Sequence, residues 1–302
     1  MTTILTSEEV AFIQKQASMY AGFGADYRRW CPIVTIPEAY VAKHYVLERF
    51  EAPALSKTGQ LSMGVTTART EGEAKLVWMS YSFEYLNQDL EIARRAGVPL
   101  ESDDLRIGMG NMDLLIEQLI LQGLSNPIAI NGMMDSGEDV NDGLDDDYWN
   151  TVGEPVDHIL SAYTDLLDNG FPPPYIFIGS WNLAPGLATK HNAAADLSAK
   201  EYISKAFQIE DWVFADNGTD GVNPTTIHPL PAALNDEGVW IVAKRDVANW
   251  ALLETRPPEV DLNPVMDRDS MSFKGHLRWH GTFRVSHAGS IVYEPDVDLV
   301  TA

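Results

Sequence analysis

The chain has 302 residues of which 45% are hydrophobic, enough to bury a sizeable core, so disorder as the main state is excluded. Its 44 Asp and Glu against 21 Lys and Arg give a net charge of −23, which argues against a protein whose main task is to grip phosphate backbones, though not against one that encloses nucleic acid. The single cysteine, Cys31, rules out an intrachain disulfide, and no Cys/His spacing matches a zinc site, so packing must hold the fold.

The first residues, MTTILTSEEVAF, lack a basic region followed by an apolar core, and no run approaches the ~18 apolar residues of a membrane span. A soluble, unsecreted chain without a membrane partner is expected. Thr6 to Glu9 reads as a helix start, with Val10, Ile13 and Ala17 facing one way until Gly22 and Gly24 interrupt. Tyr27 to Tyr45 contains proline and has no clear period, which predicts an extended segment that crosses other structure. Tyr45 to Ala52 and Val65 to Glu73 can be strands, separated by the polar, glycine-containing stretch Pro53 to Gly64. Together they predict a long β-hairpin with little apolar surface of its own. Such a hairpin is marginal in isolation and must rest on this subunit or on a neighbour.

Lys75 to Ser82 combines alternation with β-branched and aromatic residues and predicts a half-buried strand. From Phe83 to Arg95 the spacing turns helical, with Phe83, Leu86, Leu90 and Ala93 on one face, and Gly97 and Pro99 stop it. A second helix starts at the N-cap Ser102, where Asp103 and Asp104 complement the helix dipole. Leu105, Met109, Met112, Ile116, Leu119 and Gly123 then recur at steps of four and three, lining one stripe of a rod roughly 30 Å long. By periodicity alone this is a core helix of an α/β domain.

No Lys or Arg occurs between Arg106 and Lys190, and the acidic run Asp135 to Asp147 sits inside that interval. Read as a calcium loop from Asp139 it fails, because Gly143 occupies a ligand position and no glutamate closes the loop; a solvated loop is the better reading. Asp216 to Gly221 fails the same test and reads as a turn. Val156 to Leu167 predicts a helix with Ile159, Leu160, Tyr163 and Leu167 inward. Tyr175 to Ser180 is a buried strand, Leu197 to Phe207 a helix, and Asp211 to Ala215, Gly238 to Ala243 and Asn249 to Glu254 further strands. These predict an α/β layer over residues 153–255, ended by Arg256-Pro257-Pro258.

The last segment alternates most cleanly. Phe273, Leu277, Trp279, Phe283 and Val285 point to one face and Lys274, His276, Arg278, His280 and Arg284 to the other, while Ser290 to Glu294 can return as a final strand beside it. The basic stripe has two readings, pairing with acidic residues of a neighbouring strand or contact with the acidic surface of an adjacent copy.

Motifs that carry chemistry are missing: there is no G-x-S-x-G, H-E-x-x-H, Walker loop or C-x-x-C. Gly108-Met109-Gly110 lies inside a helical stretch that no strand feeds, unlike a dinucleotide loop. No catalytic, cofactor-binding or metal-binding residue is assigned, and no cofactor is expected. An acidic soluble hydrolase stays open as a lesser alternative.

The order of parts resembles the Hong Kong ninety-seven-type major capsid proteins of tailed bacteriophages, a fold that encapsulin shells share. The local likeness is carried by Leu76 to Asp135: a strand, the Phe83-Leu86-Leu90 helix, the turn at Gly97, Pro99 and Leu100, the long helix, then Gly123 and Asn131-Gly132-Met133. The resemblance implies an α+β capsid fold with an N-terminal arm (1–44), an extended β-hairpin loop (45–80), a peripheral domain with a spine helix (81–152), an axial α/β domain (153–255) and returning peripheral strands (256–302). It implies a structural protein, not an enzyme, that self-assembles as hexamers and pentamers into an icosahedral shell. The shell would enclose double-stranded DNA without sequence-specific binding, would be assembled in the host cytoplasm and found in the virion, and could take scaffolding, portal and decoration partners. Lys57, Lys274, Arg278 and Arg284 are then the expected intersubunit contacts. An encapsulin-like compartment is the alternative; encapsulins usually open with a tryptophan-containing helix, and the first tryptophan here, Trp30, lies outside the predicted helix.

Overall fold

The computed structural model describes residues 27–37, 41–49, 67–86, 103–125, 128–140, 149, 151–194, 196–215, 230, 237–262 and 272–298, with residues 88, 91, 92 and 95. Its elements begin with α1 (Tyr27–Trp30), β1 (Ile33–Thr35), β2 (Val41–Arg49), β3 (Thr67–Lys75), β4 (Val77–Leu86), α2 (Asp103–Leu121), β5 (Gly123–Leu124), β6 (Ile130–Asn131), α3 (Met133–Ser136) and β7 (Glu138–Asp139). They continue with α4 (Glu154–Asp168), β8 (Tyr175–Ser180), α5 (Ala184–Ala188), α6 (Ala199–Ala206), β9 (Ile209–Ala215), β10 (Glu237–Ala243), β11 (Trp250–Leu262), β12 (Ser272–Val285) and β13 (Ile291–Asp298).

Two sheets carry the body. In the four-stranded one the order is β1-β11-β12-β4, with β1 parallel to β11 and the other pairs antiparallel. The five-stranded one runs β7-β13-β10-β8-β9. Helices α4 and α6 cover one face of the larger sheet, packing on Phe177, Trp240 and Val242. The other face sends Ile176, Ile178, Val213 and Ile241 into a core shared with Trp250, Leu277 and Trp279 of the smaller sheet and with Met109, Met112, Ile116 and Leu119 of α2. Burial on both faces explains why β8 is an unbroken apolar run.

The long helix follows its stripe: Met109, Met112, Ile116 and Leu119 are all buried. Gly108 is not a remnant of a ligand loop. A Cβ there would overlap the Tyr81 ring, so the glycine lets β4 lie close against α2. Gly123 has φ +82° and a Cβ would run into the Ile130 carbonyl, which makes glycine obligatory at the tight β5–β6 turn.

Several expectations are corrected. Phe83 and Leu86 do not lie on a helix, because β4 runs on to Leu86 in register with β12 (Ser272↔Leu86), burying Phe83 and Tyr85 and exposing Leu86. The two-residue period outlasts the point where helical spacing also fits. The Tyr27–Tyr45 segment is not extended throughout: it starts with the short helix α1, and Tyr27, Trp30 and Cys31 are buried against strands far along the chain, so the segment does cross other structure. On α4 the buried face is Pro155, His158, Ile159, Ala162 and Leu166, so Leu160 and Leu167 are exposed.

Strand β11 does not stop at Pro257-Pro258. Its register shifts between Glu254 and Arg256 and again between Arg256 and Glu259, and these irregularities take up residues that cannot donate to the ladder. It belongs to the four-stranded sheet, and β13 pairs with β10 and β7 instead of returning beside β12. The predicted N-terminal helix, the hairpin tip Pro53 to Gly64, most of the acidic run and the Asp216 to Gly221 turn lie outside the described residues.

Candidate assembly surface

Strands β2 and β3 pair antiparallel from Val41↔Lys75 to Arg49↔Thr67 and form a two-stranded sheet joined to neither of the others. The ribbon is tied to the body at its root. There Ala74 packs with Ala251 and Leu253, and β3 approaches β12. The hairpin anticipated from sequence is therefore present, with a self-contained ladder.

Next to this root, the face of the four-stranded sheet turned away from α2 is open. Trp78, Ser80, Ser82 and Glu84 of β4 stand opposite His280, Arg278, His276 and Lys274 of β12, and every one of these except His276 and His280 is exposed. Trp78 is 53% exposed and stacks on His280 with ring centroids 4.0 Å apart. His276 shares a 2.9 Å hydrogen bond with the Ser82 hydroxyl. The guanidinium of Arg278 meets Asp261 of β11 at 2.9 Å, and Arg256 meets Glu259 at 3.0 Å.

Of the four expected contact residues, Lys274 and Arg278 thus share one open face with carboxylates of their own chain alongside. Arg284 stands apart at the end of β12. It donates to the Val247 carbonyl at 2.7 Å, and burial lowers its pKa from the ordinary guanidinium value. Lys57 lies outside the described residues.

A second exposed cluster escaped the sequence reading. Trp181, 62% exposed, stacks on Phe214 of the edge strand β9 at 5.1 Å, and the Lys200 ammonium lies over the rings of Trp212 and Phe214 at 5.1 and 5.4 Å. No periodicity marks it, because Trp181 follows β8 directly and Phe214 sits thirty-odd positions on.

Among the described residues no group of three or more His, Cys, Asp or Glu is placed to hold a metal ion. Cys31 is buried, and burial pushes its thiol pKa up, away from thiolate chemistry. What the described surface offers is area: a two-stranded ribbon, an open sheet face and an aromatic patch.

No protein-family model matches the chain, and no curated protein matches it in sequence. Solved structures do. The virus-like particle protein of Pyrococcus furiosus superposes with a TM-score of 0.64 at 10% identity, over 93% of this chain and 97% of that one. The capsid protein of Myoviridae phage XM1 follows at TM-score 0.60 and 11% identity, covering 88% and 89% of the two chains. This chain has the Hong Kong ninety-seven-type capsid fold. The same fold relates it to the encapsulin of the holo-SrpI complex from Synechococcus elongatus, with a TM-score of 0.53 and 10% identity over 91% of this chain and 89% of that one. The Hong Kong ninety-seven-type likeness thus takes in both sheets and most of the chain between them.

Proposed function

We propose that this chain is a self-assembling shell subunit, the major capsid protein of an icosahedral particle that encloses a double-stranded DNA genome. The observation that carries the proposal is the β2–β3 ribbon, which among the described residues forms a two-stranded sheet of its own and meets the body at Ala74, packed with Ala251 and Leu253. A ribbon of that kind gains stability by lying on another surface, and a closed symmetric shell repeats each modest contact many times.

On this reading residues 1–44 are an arm, 45–80 the extended loop, 81–152 the peripheral domain with α2 as its spine, 153–255 the axial domain and 256–302 the returning strands. Lys57, Lys274, Arg278 and Arg284 contact neighbouring copies in hexamers and pentamers. Scaffolding, portal and decoration proteins are the further partners, and the particle forms in the host cytoplasm. The role is structural. The net charge of −23 leaves an enclosed genome free to pack and to leave, because the wall does not neutralise phosphates.

Likeness to an encapsulin supports a second reading, a compartment around protein cargo. Negative-stain electron microscopy of the purified protein, with its ultraviolet absorbance ratio, tests both. Uniform hollow or DNA-filled particles are expected. Particles that copurify with a folded enzyme and no nucleic acid would favour the compartment, and a monomer at every salt concentration and pH, also when coexpressed with a scaffolding protein, would remove the shell.

A further inference from the structure

Where the hairpin leaves the body, a cavity of about 270 Å³ opens between four pieces of chain. Ala74 and Lys75 of β3 form one wall, Ala129 to Asn131 of the β5–β6 turn another, Ser136 of α3 a third, and Thr282 to Val285 of β12 the last. It is polar and positively charged in a chain that is otherwise acidic. Lys75 is exposed at its mouth and Arg284 is half-buried in its wall.

Neither cation has a carboxylate partner among the described residues. One Arg284 N–H goes to the Val247 carbonyl at 2.7 Å, while its buried Nε–H finds no acceptor. A guanidinium has five N–H donors, so one bond to Val247 leaves terminal N–H groups of this half-buried side chain to meet an acceptor. Ser136, Thr282 and Asn131 add hydroxyl and amide groups around the same space. With a water occupying about 30 Å³ in the liquid, the cavity admits one acidic side chain together with several waters.

We infer that this cavity receives an Asp or Glu side chain of a second copy of this chain, pinning the neighbour at the point where the hairpin springs from the body. The inference rests on the shell reading and gives it a specific contact. Charge complementarity selects the occupant: each copy carries 44 carboxylates and 21 basic residues, so the surface a neighbour brings is predominantly acidic, and Lys75 and Arg284 are the cations positioned to meet it. It also separates Arg284 from Arg278, whose charge is met within its own chain by Asp261.

The test compares full-length wild type with Lys75→Gln, Lys75→Arg and Arg284→Gln, measuring assembly by light scattering and electron microscopy from low to high salt. Wild type and Lys75→Arg should form the same particles. Each Gln variant should lower the association constant about tenfold or more, as truncation of one partner of an interfacial charge pair does, with a smaller salt dependence than wild type. Circular dichroism checks folding; if Arg284→Gln fails to fold, the exposed Lys75 decides alone. Wild-type particles with both Gln variants assembling normally would overturn this inference and leave the shell intact. A wild type that stays monomeric under every condition would remove the shell reading and this contact with it. Inorganic phosphate is the competing probe: phosphate bound by the monomer and lost in the Gln variants, with assembly unchanged, would make the cavity a free-anion site and refute the neighbour's carboxylate.

Discussion

Glu254 ties the N-terminal segment to the four-stranded sheet. Its buried carboxylate accepts from the Arg28 guanidinium at 2.9 Å and from the Trp279 indole N–H at 2.7 Å, while its backbone carbonyl accepts from Ile36 N–H at 3.0 Å. Glu254→Ala leaves a buried indole N–H without an acceptor and Arg28 without its counter-charge. Since Arg28 keeps some solvent, the expected loss is about 2–4 kcal/mol, below the full cost of breaking a wholly buried pair. Urea unfolding should show a lower midpoint with an unchanged slope; a midpoint equal to wild type would show that the network is idle. Nothing in the sequence points to this trio. Arg28 and Glu254 are 226 positions apart, and local pattern is blind to such pairs. By contrast Phe273, Leu277, Trp279 and Phe283 were legible, because a strand's inward face is written in its own two-residue period. Of the basic stripe, Arg278 meets Asp261 of the neighbouring strand and both stay exposed, an ion pair that an adjacent copy can join.

At the level of elements, α2 was readable because apolar side chains at steps of three and four are one continuous stripe wherever the helix lies. Boundaries and partners were not. The sequence from Phe83 fits both periods, and only pairing with β12 decides that the strand continues to Leu86. The prolines that seemed to end β11 fall where its register slips, and the pairing of β13 with β10 depends on residues fifty positions earlier. The hairpin was visible as two strands about a polar stretch, while its independence from the body was left open. That independence predicts an outcome. Deleting Pro53 to Gly64 and closing the gap with a short turn should leave a folded subunit, its melting temperature within about 3 °C of wild type, since little apolar surface is given up. The same protein should fail to close shells. Normal particles from it would count heavily against an assembly role for the ribbon.

For the molecule as a whole, charge decides more than any site. The two sheets share one core, so the body is a single packed unit whose surface carries the net −23. Binding of duplex DNA is driven by the release of counterions when Lys and Arg neutralise phosphates, and the described arginines Arg28, Arg29, Arg256 and Arg278 are already engaged with carboxylates of their own chain. A wall built of such subunits holds a genome by enclosure. Purified subunit at about 50 mM salt, where phosphate contacts are strongest, should therefore leave the mobility of linear duplex DNA unchanged in a gel. Retardation that fades as salt rises would mean that a basic surface outweighs the acidic one, and the wall would have to be redrawn as one that grips what it surrounds. Absence of retardation, together with nuclease-protected DNA inside closed particles, would place retention of the genome in the geometry of the shell.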